Sequence, residues 1–440
     1  MILSYNFIFH KHENVKLFHH LKDQMFWSAR LYNQVLQIHN EMYWNCSVSY
    51  NYEMMEKLVK QLVVNNYFYK LKSGVAQQVI KAFYHDLNSY LQSVKEYQIN
   101  PKKFNGVPRP PHYKKRYNDC VYTYACIVLR DGKIYPKEDL GIEIPQDQYK
   151  KFECFYTRDQ NKKVFVHKNI KTVQFKFLSK DKIQVFITYK TDELNSELDK
   201  NNAIGIDLGF RDLMSVVSKD KSFIYSGAPI TGLNRECNII FDKLKSFKDS
   251  HKRIFRCNSN KLKELYLKRS FKINTYLHQC AKHLVNYCVS HKVGTIVVGY
   301  NEGWKESISR KNLTIKCKSV AHTLNRRFNE IPFYKLIRIL KYLCQRIGIK
   351  LVTLHESFTS KCSALHLEKI CKHETYQGVR DGGQFKSDLG FLNADINGAI
   401  NILRRYLKDN DFIKNLISSK HIFNPKILKV AEICCKQQYC

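Results

Sequence analysis

The sequence lacks any apolar run that approaches the roughly 18 residues of a membrane span, so we expect no membrane partner. The first residues, MILSYNFIFHKHENVK, are short of apolar length and soon become charged, which is not the pattern of a secretory signal. The 15 cysteines are scattered along the chain. We therefore expect reduced thiols and an intracellular protein.

Acidic residues are scarce. Asp and Glu together number 39 against 73 Lys and Arg, which gives a net charge of +34. Such an excess indicates a polyanionic partner, and nucleic acid is the commonest one. We expect cytoplasmic, nucleoid-associated protein in a bacterial host and nuclear protein in a eukaryotic or viral one. A chain of 440 residues is too long for one ordinary core, so two or three domains are expected.

The first half of the chain changes pattern three times. Residues 1–10 are typical of a strand, and residues 15–100 carry apolar residues at helical spacing, as in VAQQVIKAFYHDLNSYLQSV. Residues 120–190 favour strands, and IQVFITY alternates apolar and polar positions. The polar stretch TDELNSELDKNN at 191–202 indicates a linker.

Residues 101–117, PKKFNGVPRPPHYKKRY, separate the helical region from the strands. Four prolines exclude a helix there. Cations and aromatic rings alternate along the stretch, and these groups suit phosphates and bases respectively. We interpret it as a nucleic-acid contact, although a solvated basic linker would have the same composition.

From residue 203 the pattern predicts an α/β domain. AIGIDLG, DLMSVVS and FIYSG are typical strands, and long basic helices follow over 235–292. GTIVVGY at 294–300 indicates a core strand, and residues 331–348 an amphipathic helix capped by Gly348. A further strand is expected over 349–356 and a last helix over 394–407.

Two acids are expected at the same edge of this sheet, because α/β sheets place their chemistry at the carboxyl ends of strands. Asp207 ends the first strand and Asp395 opens the last helix. Clustered carboxylates are typical of two Mg²⁺ ions and phosphodiester cleavage. Alternatively, Asp207 is a turn residue before Gly209, and Asp395 is a helix N-cap.

A third acid is missing where we would look for it. The strand TIVVGYNEGWK reaches its tip at Gly299, which has no side chain, and Glu302 lies three residues further on. The next strand, LVTLHESFTSKCS, leads to Glu356. We favour Glu356 over Glu302, because neighbouring strand tips can point at the same ions. A solvent-facing Glu356, or a cap formed with Ser357, remains the alternative.

Four motifs in order, GIDLGFRDL, VVGYNEGWK, LHESFTSKCS and NADINGAINILRR, resemble the TnpB proteins of insertion sequences, relatives of Fanzor proteins and type V CRISPR effectors. The resemblance extends to YFYKLKSGVAQQVI and PKKFNGVPRPPHYKKR. It implies an α/β multidomain fold: a wedge-like β-barrel (1–14 and 118–195), an inserted helical recognition lobe (15–117), and an RNase H-like RuvC domain (203–440). The insert at 357–393 would be a degenerate zinc-ribbon-like element.

The resemblance implies an RNA-guided DNA endonuclease of a transposable element. Its partners would be a structured guide RNA from the transposon end and double-stranded target DNA, and its cofactor two Mg²⁺ ions. Asp207 and Asp395 match the first and last catalytic, metal-binding acids. The middle acid falls at Gly299, and a subset of the family with a later Glu supports Glu356. A nuclease-dead RNA-guided binder, a conventional RNase H-fold transposase and an inert transposon relic remain alternatives.

The nucleic-acid contacts that we expect combine the basic segment, the VVGYNEGWK motif and the insert: Lys102, Lys103, Arg109, Tyr113, Lys114, Lys115, Arg116, Trp304, Lys305 and Arg380. Tyr376, Gly378 and Lys386 accompany Arg380 in the insert. The two C-x-x-C pairs of a zinc ribbon are absent there. Cys362 and Cys371, with a spacing that is not standard for zinc, offer at most a weak site, and a metal-free loop is favoured.

Overall fold

The structure is a computed structural model that describes residues 2–101, 104, 106–123, 126–130, 132–137, 139–145, 155–159, 162–166, 169–191, 197–250, 255–300 and 330–434. The chain divides into two compact units, Met1–Asp192 and Glu193–Cys440. The domain boundaries expected from the sequence stay predictions.

Three helices form the middle of the first unit: α1 (Val15–Cys46), α2 (Tyr52–Gln61) and α3 (Ser73–Ile99). Helix α1 begins where the Asn14 side chain accepts a hydrogen bond from the Leu17 backbone N–H. Its apolar stripe is buried with that of α3, in a core that includes Leu21, Tyr32 and Phe83. The helical prediction for residues 15–100 is confirmed.

The strands of the first unit form one larger sheet and two small ones. The larger sheet contains β1 (Ile2–His10), β2 (Cys120–Thr123), β8 (Ile170–Ser179) and β9 (Lys182–Lys190), in the order β1-β9-β8-β2 with antiparallel neighbours. The alternation predicted for IQVFITY is present, because Ile183, Val185 and Ile187 are buried. The small sheets contain β3 (Val128–Arg130), β4 (Lys133–Lys137) and β5 (Leu140–Glu143), and β6 (Phe155–Asp159) and β7 (Lys162–Val166). A closed barrel stays a prediction.

A mixed six-stranded sheet organises the second unit. It contains β10 (Asp199–Asp207), β11 (Asp212–Val217), β12 (Ser222–Ser226), β13 (Val293–Gly299), β14 (Lys350–Leu354) and β18 (Lys426–Leu428), in the order β14-β13-β10-β11-β12-β18. Strands β14, β13 and β10 are parallel, so their carboxyl ends lie at one edge. Strand β18 was not predicted, and β10 begins inside the stretch expected to be a linker.

Helices cover this sheet: α4 (Ala228–Ser250), α5 (Phe255–Ser290), α6 (Phe333–Ile347), α7 (Ala394–Leu407), α8 (Asp411–Ile417) and α9 (Val430–Cys434). Helix α6 confirms its predicted amphipathic face, with Leu336, Leu340 and Cys344 buried, and ends at Gly348 with a left-handed φ of 88°. In the described part of the chain, no helix is both long and apolar enough to cross a membrane.

Helix α7 lies unusually close to the central strand. A Cβ atom on Gly205 of β10 would overlap the carbonyl oxygen of Ala399 in α7, so only glycine allows this approach. Between β14 and α7 the chain forms a three-stranded antiparallel sheet of β15 (Val379–Asp381), β16 (Gln384–Ser387) and β17 (Gly390–Asn393). The backbone N–H of Ala394 donates to Gly383 O at 2.9 Å, which joins this small sheet to the start of α7.

Candidate active site

Asp207 lies at the carboxyl end of β10, the central strand. Its neighbours in the sheet are β11, where it pairs with Ser215, and the tip of β13. Gly398 of α7 faces it so closely that a Cβ atom there would overlap Asp207 Oδ2. The carboxylate of Asp207 therefore lies between the sheet edge and α7. A turn residue that faced solvent would not lie in this position.

Asp395 lies in the first turn of α7, but it does not cap the helix. The side chain of Asn393 is the N-cap, accepting from the backbone N–H groups of Asp395 and Ile396 at 2.9 and 3.1 Å. This leaves the Asp395 carboxylate available, and Arg380 of β15 donates to its Oδ1 at 2.7 Å. The alternative role considered for Asp395 belongs to Asn393.

The sequence suggested that Glu356 ends a strand. In the structure, β14 ends two residues earlier, at Leu354. Gly299, the last residue of β13, pairs with Leu354. The Glu356 side chain turns back over that tip, and its Oε2 atom lies 3.1 Å from the position of a Cβ atom on Gly299. The Glu356 carboxylate thus occupies the space beside the end of β13, where Gly299 provides no acid.

Asp207, Glu356 and Asp395 line one cavity of about 1100 Å³. Its other walls come from the β10–β11 connection, the insert sheet and residues 423–425. Two further carboxylates, those of Asp212 and Asp381, also line it, and our sequence reasoning selected neither residue. The signal was present in GIDLGFRDL, since Asp212 lies five residues after Asp207 in the same motif.

Burial shifts the pKa values of three acids in this cavity upward. Burial, and then the charges of Asp395 and Glu356, raise the pKa of Asp207 well above its ordinary value, while Arg380 acts in the opposite direction. Burial raises the pKa of Glu356 to about 7. Burial, followed by the charge of Asp395, also raises the pKa of Asp212. This arrangement favours a bound proton or a bound cation.

The donor set suits a hard cation, since it consists of carboxylate oxygens. Nevertheless, among the residues that the structure describes, no three His, Cys, Asp or Glu side chains converge tightly enough to hold a metal ion as they stand. Asp207, Glu356 and Asp395 are all carboxylates and all line the same cavity. Their role as metal ligands stays a prediction.

One face of α7 carries polar side chains that are buried, which sequence reasoning missed. Asn397 donates to Cys362 O and accepts from the Ala364 backbone N–H, both at 2.9 Å. Arg404, whose side chain is only 2% exposed, donates to Glu368 O at 3.1 Å and pairs with Asp409 at 2.6 Å. Helix α7 therefore holds the beginning of the insert through side chains.

The two cysteines of the insert make different contacts. Cys362 is buried, and its thiol donates to the carbonyl oxygens of Lys369 and Cys371 at 3.5 and 3.6 Å. The Cys371 thiol contacts His373 Nε2 at 3.4 Å. Within the described ranges, no cluster of His, Cys, Asp and Glu fits zinc. The weak zinc site suggested at Cys362 and Cys371 stays a prediction.

In the first unit, the basic segment runs extended past α1. The backbone of Lys114 is joined to the Asn33 side chain by two hydrogen bonds, of 2.7 and 2.9 Å. Its ammonium lies 4.4 Å from the centre of the Tyr32 ring and 3.5 Å from Asp86. Lys114 thus anchors the segment. Among the nucleic-acid contacts expected in this segment, the exposed side chains are those of Arg109, Tyr113, Lys115 and Arg116.

The remaining expected contacts divide into two groups. Arg380 lies in the cavity wall beside Asp395, and in the same insert Lys386 pairs with Asp381 at 2.6 Å, while the hydroxyl of Tyr376 accepts from the His373 backbone N–H at 3.4 Å. The other expected contacts, like the alternative acid Glu302, lie outside the described residues: Lys102, Lys103, Trp304 and Lys305. Of the two candidates for the third acid, Glu356 and Glu302, the structure therefore describes Glu356 alone.

Two family models match the end of β9 and much of the second unit. Residues 186–305 match OrfB_IS605, described as a probable transposase, and residues 333–402 match the Cas12f1-like TNB domain. The first match contains Asp207, and the second contains both Glu356 and Asp395. No curated protein matches the sequence.

One solved structure gives a related result at the level of fold. A cryo-EM structure of a Cas12f1–sgRNA–target DNA complex aligns with a TM-score of 0.51 and 12% identity, covering 89% of this chain and 84% of that one. A CRISPR-Cas12f ternary complex aligns over 89% and 81%, at 15% identity and a TM-score of 0.34. Taken together, the two family models support a relation between the second unit and TnpB/Cas12f-type proteins, and the aligned Cas12f1 structure supports the mixed α/β fold.

Proposed function

We propose that the chain is an RNA-guided DNA endonuclease of a transposable element, in which the sheet of the second unit is a RuvC-type nuclease domain and the insert a remnant of a zinc ribbon. The observation that carries this proposal is the cavity in which Asp207, Glu356 and Asp395 meet at the carboxyl edge of the sheet. The matching family is one of transposases and Cas12f1-like proteins, and the aligned Cas12f1 complex contains guide RNA and target DNA.

In this mechanism the three acids would hold divalent cations, of which Mg²⁺ suits their hard oxygen donors. Bound in pairs, such ions activate water and stabilise charge on the leaving oxygen of a phosphodiester. Asp207 would supply the central carboxylate, since it lies between α7 and the sheet. Glu356 and Asp395 would complete the set from either side of it. Asp212, on the same wall, would accept hydrogen bonds from water in the cavity.

Arg380 would act on the substrate side of the same cavity. Its guanidinium already lies 2.7 Å from Asp395 Oδ1 and its side chain is 40% exposed, so it can contact a phosphate without leaving the site. A planar guanidinium binds phosphate oxygens in pairs. We assign Arg380 to charge stabilisation at the phosphate that is cut.

The guide RNA and the target would be held through their backbones. The exposed lysines of α5, which include Lys261, Lys263 and Lys272, and the exposed side chains of the basic segment supply phosphate contacts without sequence readout. Sequence choice would then come from base pairing between guide and target. This division of labour accounts for the charge of +34.

The test is a cleavage assay on the protein purified with its co-expressed flanking RNA. Wild type, Asp207→Asn, Glu356→Gln and Asp395→Asn are incubated with a duplex library that carries the guide match, with Mg²⁺ or with EDTA. We expect Mg²⁺-dependent cutting of the matched duplex by wild type alone. Binding of the matched duplex should persist in all three variants, since they remove negative charge from the site.

Other outcomes select among the alternatives. Binding of the matched duplex without cutting by wild type would identify a nuclease-dead RNA-guided binder. Cutting and joining of DNA ends without RNA would identify a conventional transposase. Full cutting by Glu356→Gln, with loss in Glu302→Gln, would move the third acid to Glu302.

A further inference from the structure

The segment that carries Glu356 has left the sheet and needs another support. The last ladder contact of β14 is the hydrogen bond from Tyr300 N–H to Leu354 O, at 2.9 Å. Residues 357–361 then form turns, with Thr359 donating through its hydroxyl to Glu356 O at 2.8 Å. Since turns of this kind move more easily than strands, something outside the segment must fix the Glu356 carboxylate.

Arg405 of α7 brackets Glu356. Its guanidinium donates through Nη1 to the carbonyl oxygen of His355 and through Nη2 to that of Ser357, the latter at 2.8 Å. These carbonyls belong to the residues immediately before and after Glu356. A rigid guanidinium fork that binds two carbonyls fixes the orientation of the peptide units between them.

Asn401, one turn earlier on the same helix, holds the next part of the segment. It is completely buried, and its amide donates to Thr359 O and to Cys362 O, both at 2.8 Å. Its own carbonyl oxygen accepts from Arg404 Nη1 at 2.7 Å. Both amide hydrogens and the oxygen are therefore used, which sets the orientation of the side chain.

We propose that Arg405 and Asn401 are positioning residues that hold Glu356 over the tip of β13, at the place where Gly299 provides no acid. Helix α7 then sets the geometry of all three acids. It carries Asp395, packs Gly398 against Asp207, and fixes the peptide units on both sides of Glu356. This inference rests on the proposed nuclease function of the cavity.

The test uses the full chain with its guide RNA and compares Arg405→Gln and Arg405→Lys with wild type. Lys414→Gln is the matched control, because it removes the same charge from the next helix, where Lys414 is 60% exposed and contacts Asp411. Hydrogen exchange of the peptide that covers residues 355–362 is measured without metal. Single-turnover cleavage rates are measured across a Mg²⁺ titration, together with affinity for the matched duplex.

For Arg405→Gln we expect faster exchange in 355–362, and a cleavage rate or Mg²⁺ affinity reduced by about 10- to 100-fold, as is usual for groups that orient metal ligands. Affinity for the duplex should stay within about twofold, since the guanidinium is occupied by backbone carbonyls. Arg405→Lys should be intermediate, because one ammonium cannot bind both carbonyls with the same geometry. The control should match wild type.

Unchanged exchange in 355–362 would overturn the proposal, and so would faster exchange spread evenly over the second unit, since that would mean general destabilisation. Should wild type fail to cut the matched duplex, the proposed function fails. The exchange measurement still decides whether Arg405 fixes the segment, because it requires neither metal nor cleavage.

Discussion

The carboxylate of Glu356 lies beside Gly299, with Oε2 3.1 Å from the point where a Cβ atom on that glycine would stand. Two adjacent parallel strands, β13 and β14, therefore offer one position for an acid, and the acid can come from either strand exit. Here the second strand provides it. A Cβ atom at the first strand tip would overlap Ile402 Cδ1 and lie 3.1 Å from Glu356 Oε2, so a side chain there would crowd the acid.

We predict that Gly299→Ala lowers both stability and cleavage. The new methyl group would overlap Ile402 Cδ1 and press on the Glu356 carboxylate, and overpacking of this kind costs about 1–3 kcal/mol. Denaturant unfolding and single-turnover cleavage measure the two effects. In the control Gly232→Ala, the added Cβ atom meets nothing within 4 Å in helix α4, so stability should stay constant or rise slightly. Equal behaviour of the two variants would contradict the crowding argument.

We predict that the acid cluster destabilises the metal-free protein as the pH rises. The folded-state pKa of Glu356 is raised to about 7, so the folded protein binds more protons than the unfolded chain between about pH 4.5 and 7, and this contribution to stability is lost across that range. In EDTA, Glu356→Gln should therefore gain melting temperature relative to wild type between pH 5 and 8. Added Mg²⁺ should raise the melting temperature of wild type more at pH 8 than at pH 5. If the gain in melting temperature of Glu356→Gln over wild type does not depend on pH, the prediction is wrong.

We predict that Arg380→Gln reduces cleavage on the order of 100-fold, the usual effect of removing one charge-stabilising group. The guanidinium also opposes the rise in the pKa of Asp207, so its removal should move the pH profile of cleavage to more alkaline values. Lys426→Gln is the control, since it breaks an exposed ion pair with Glu432 and removes the same charge. Unchanged cleavage by Arg380→Gln would remove this residue from the site.

We predict different effects from two adjacent lysines of the basic segment. Lys114→Ala should cost stability of about 1 kcal/mol, because its ammonium lies over Tyr32 and beside Asp86. Lys115→Ala should leave stability unchanged but weaken RNA binding and reduce its salt dependence by about one ion. Thermal unfolding and RNA affinity at several salt concentrations separate the two. Equal loss of RNA affinity in both variants would mean that Lys114 also contacts phosphate.

Much of the candidate site follows from strand ends alone. Asp207 and Asp395 could be placed at one edge because parallel strands and the helices after them have a fixed polarity. The position of Glu356 was less certain, since it depends on how a side chain two residues beyond a strand folds back. That direction is set by the contacts of the segment with α7, which no local pattern in LHESFTSKCS encodes.

Other features depend on tertiary contacts that a sequence pattern does not show. Asn397, Asn401 and Arg404 look like the solvent face of an amphipathic helix, yet they are buried under the insert because backbone carbonyls satisfy their polar groups. Strand β18 has three residues, too few for a periodic signal. Its pairing with β12 comes from the fold of the chain around it.

The hydrogen bonds from α7 side chains to the beginning of the insert have a consequence for the construction of chimeras between related proteins. Because the helix binds residues 355–368 through four of its side chains, Asn397, Asn401, Arg404 and Arg405, these two segments are one module although the insert sheet lies between them in the chain. A chimera that exchanged either segment alone would leave buried amides and a buried guanidinium facing foreign carbonyls. Grafts between relatives should therefore transfer residues 355–409 as a single block, with Asp409 included as the counter-ion of Arg404.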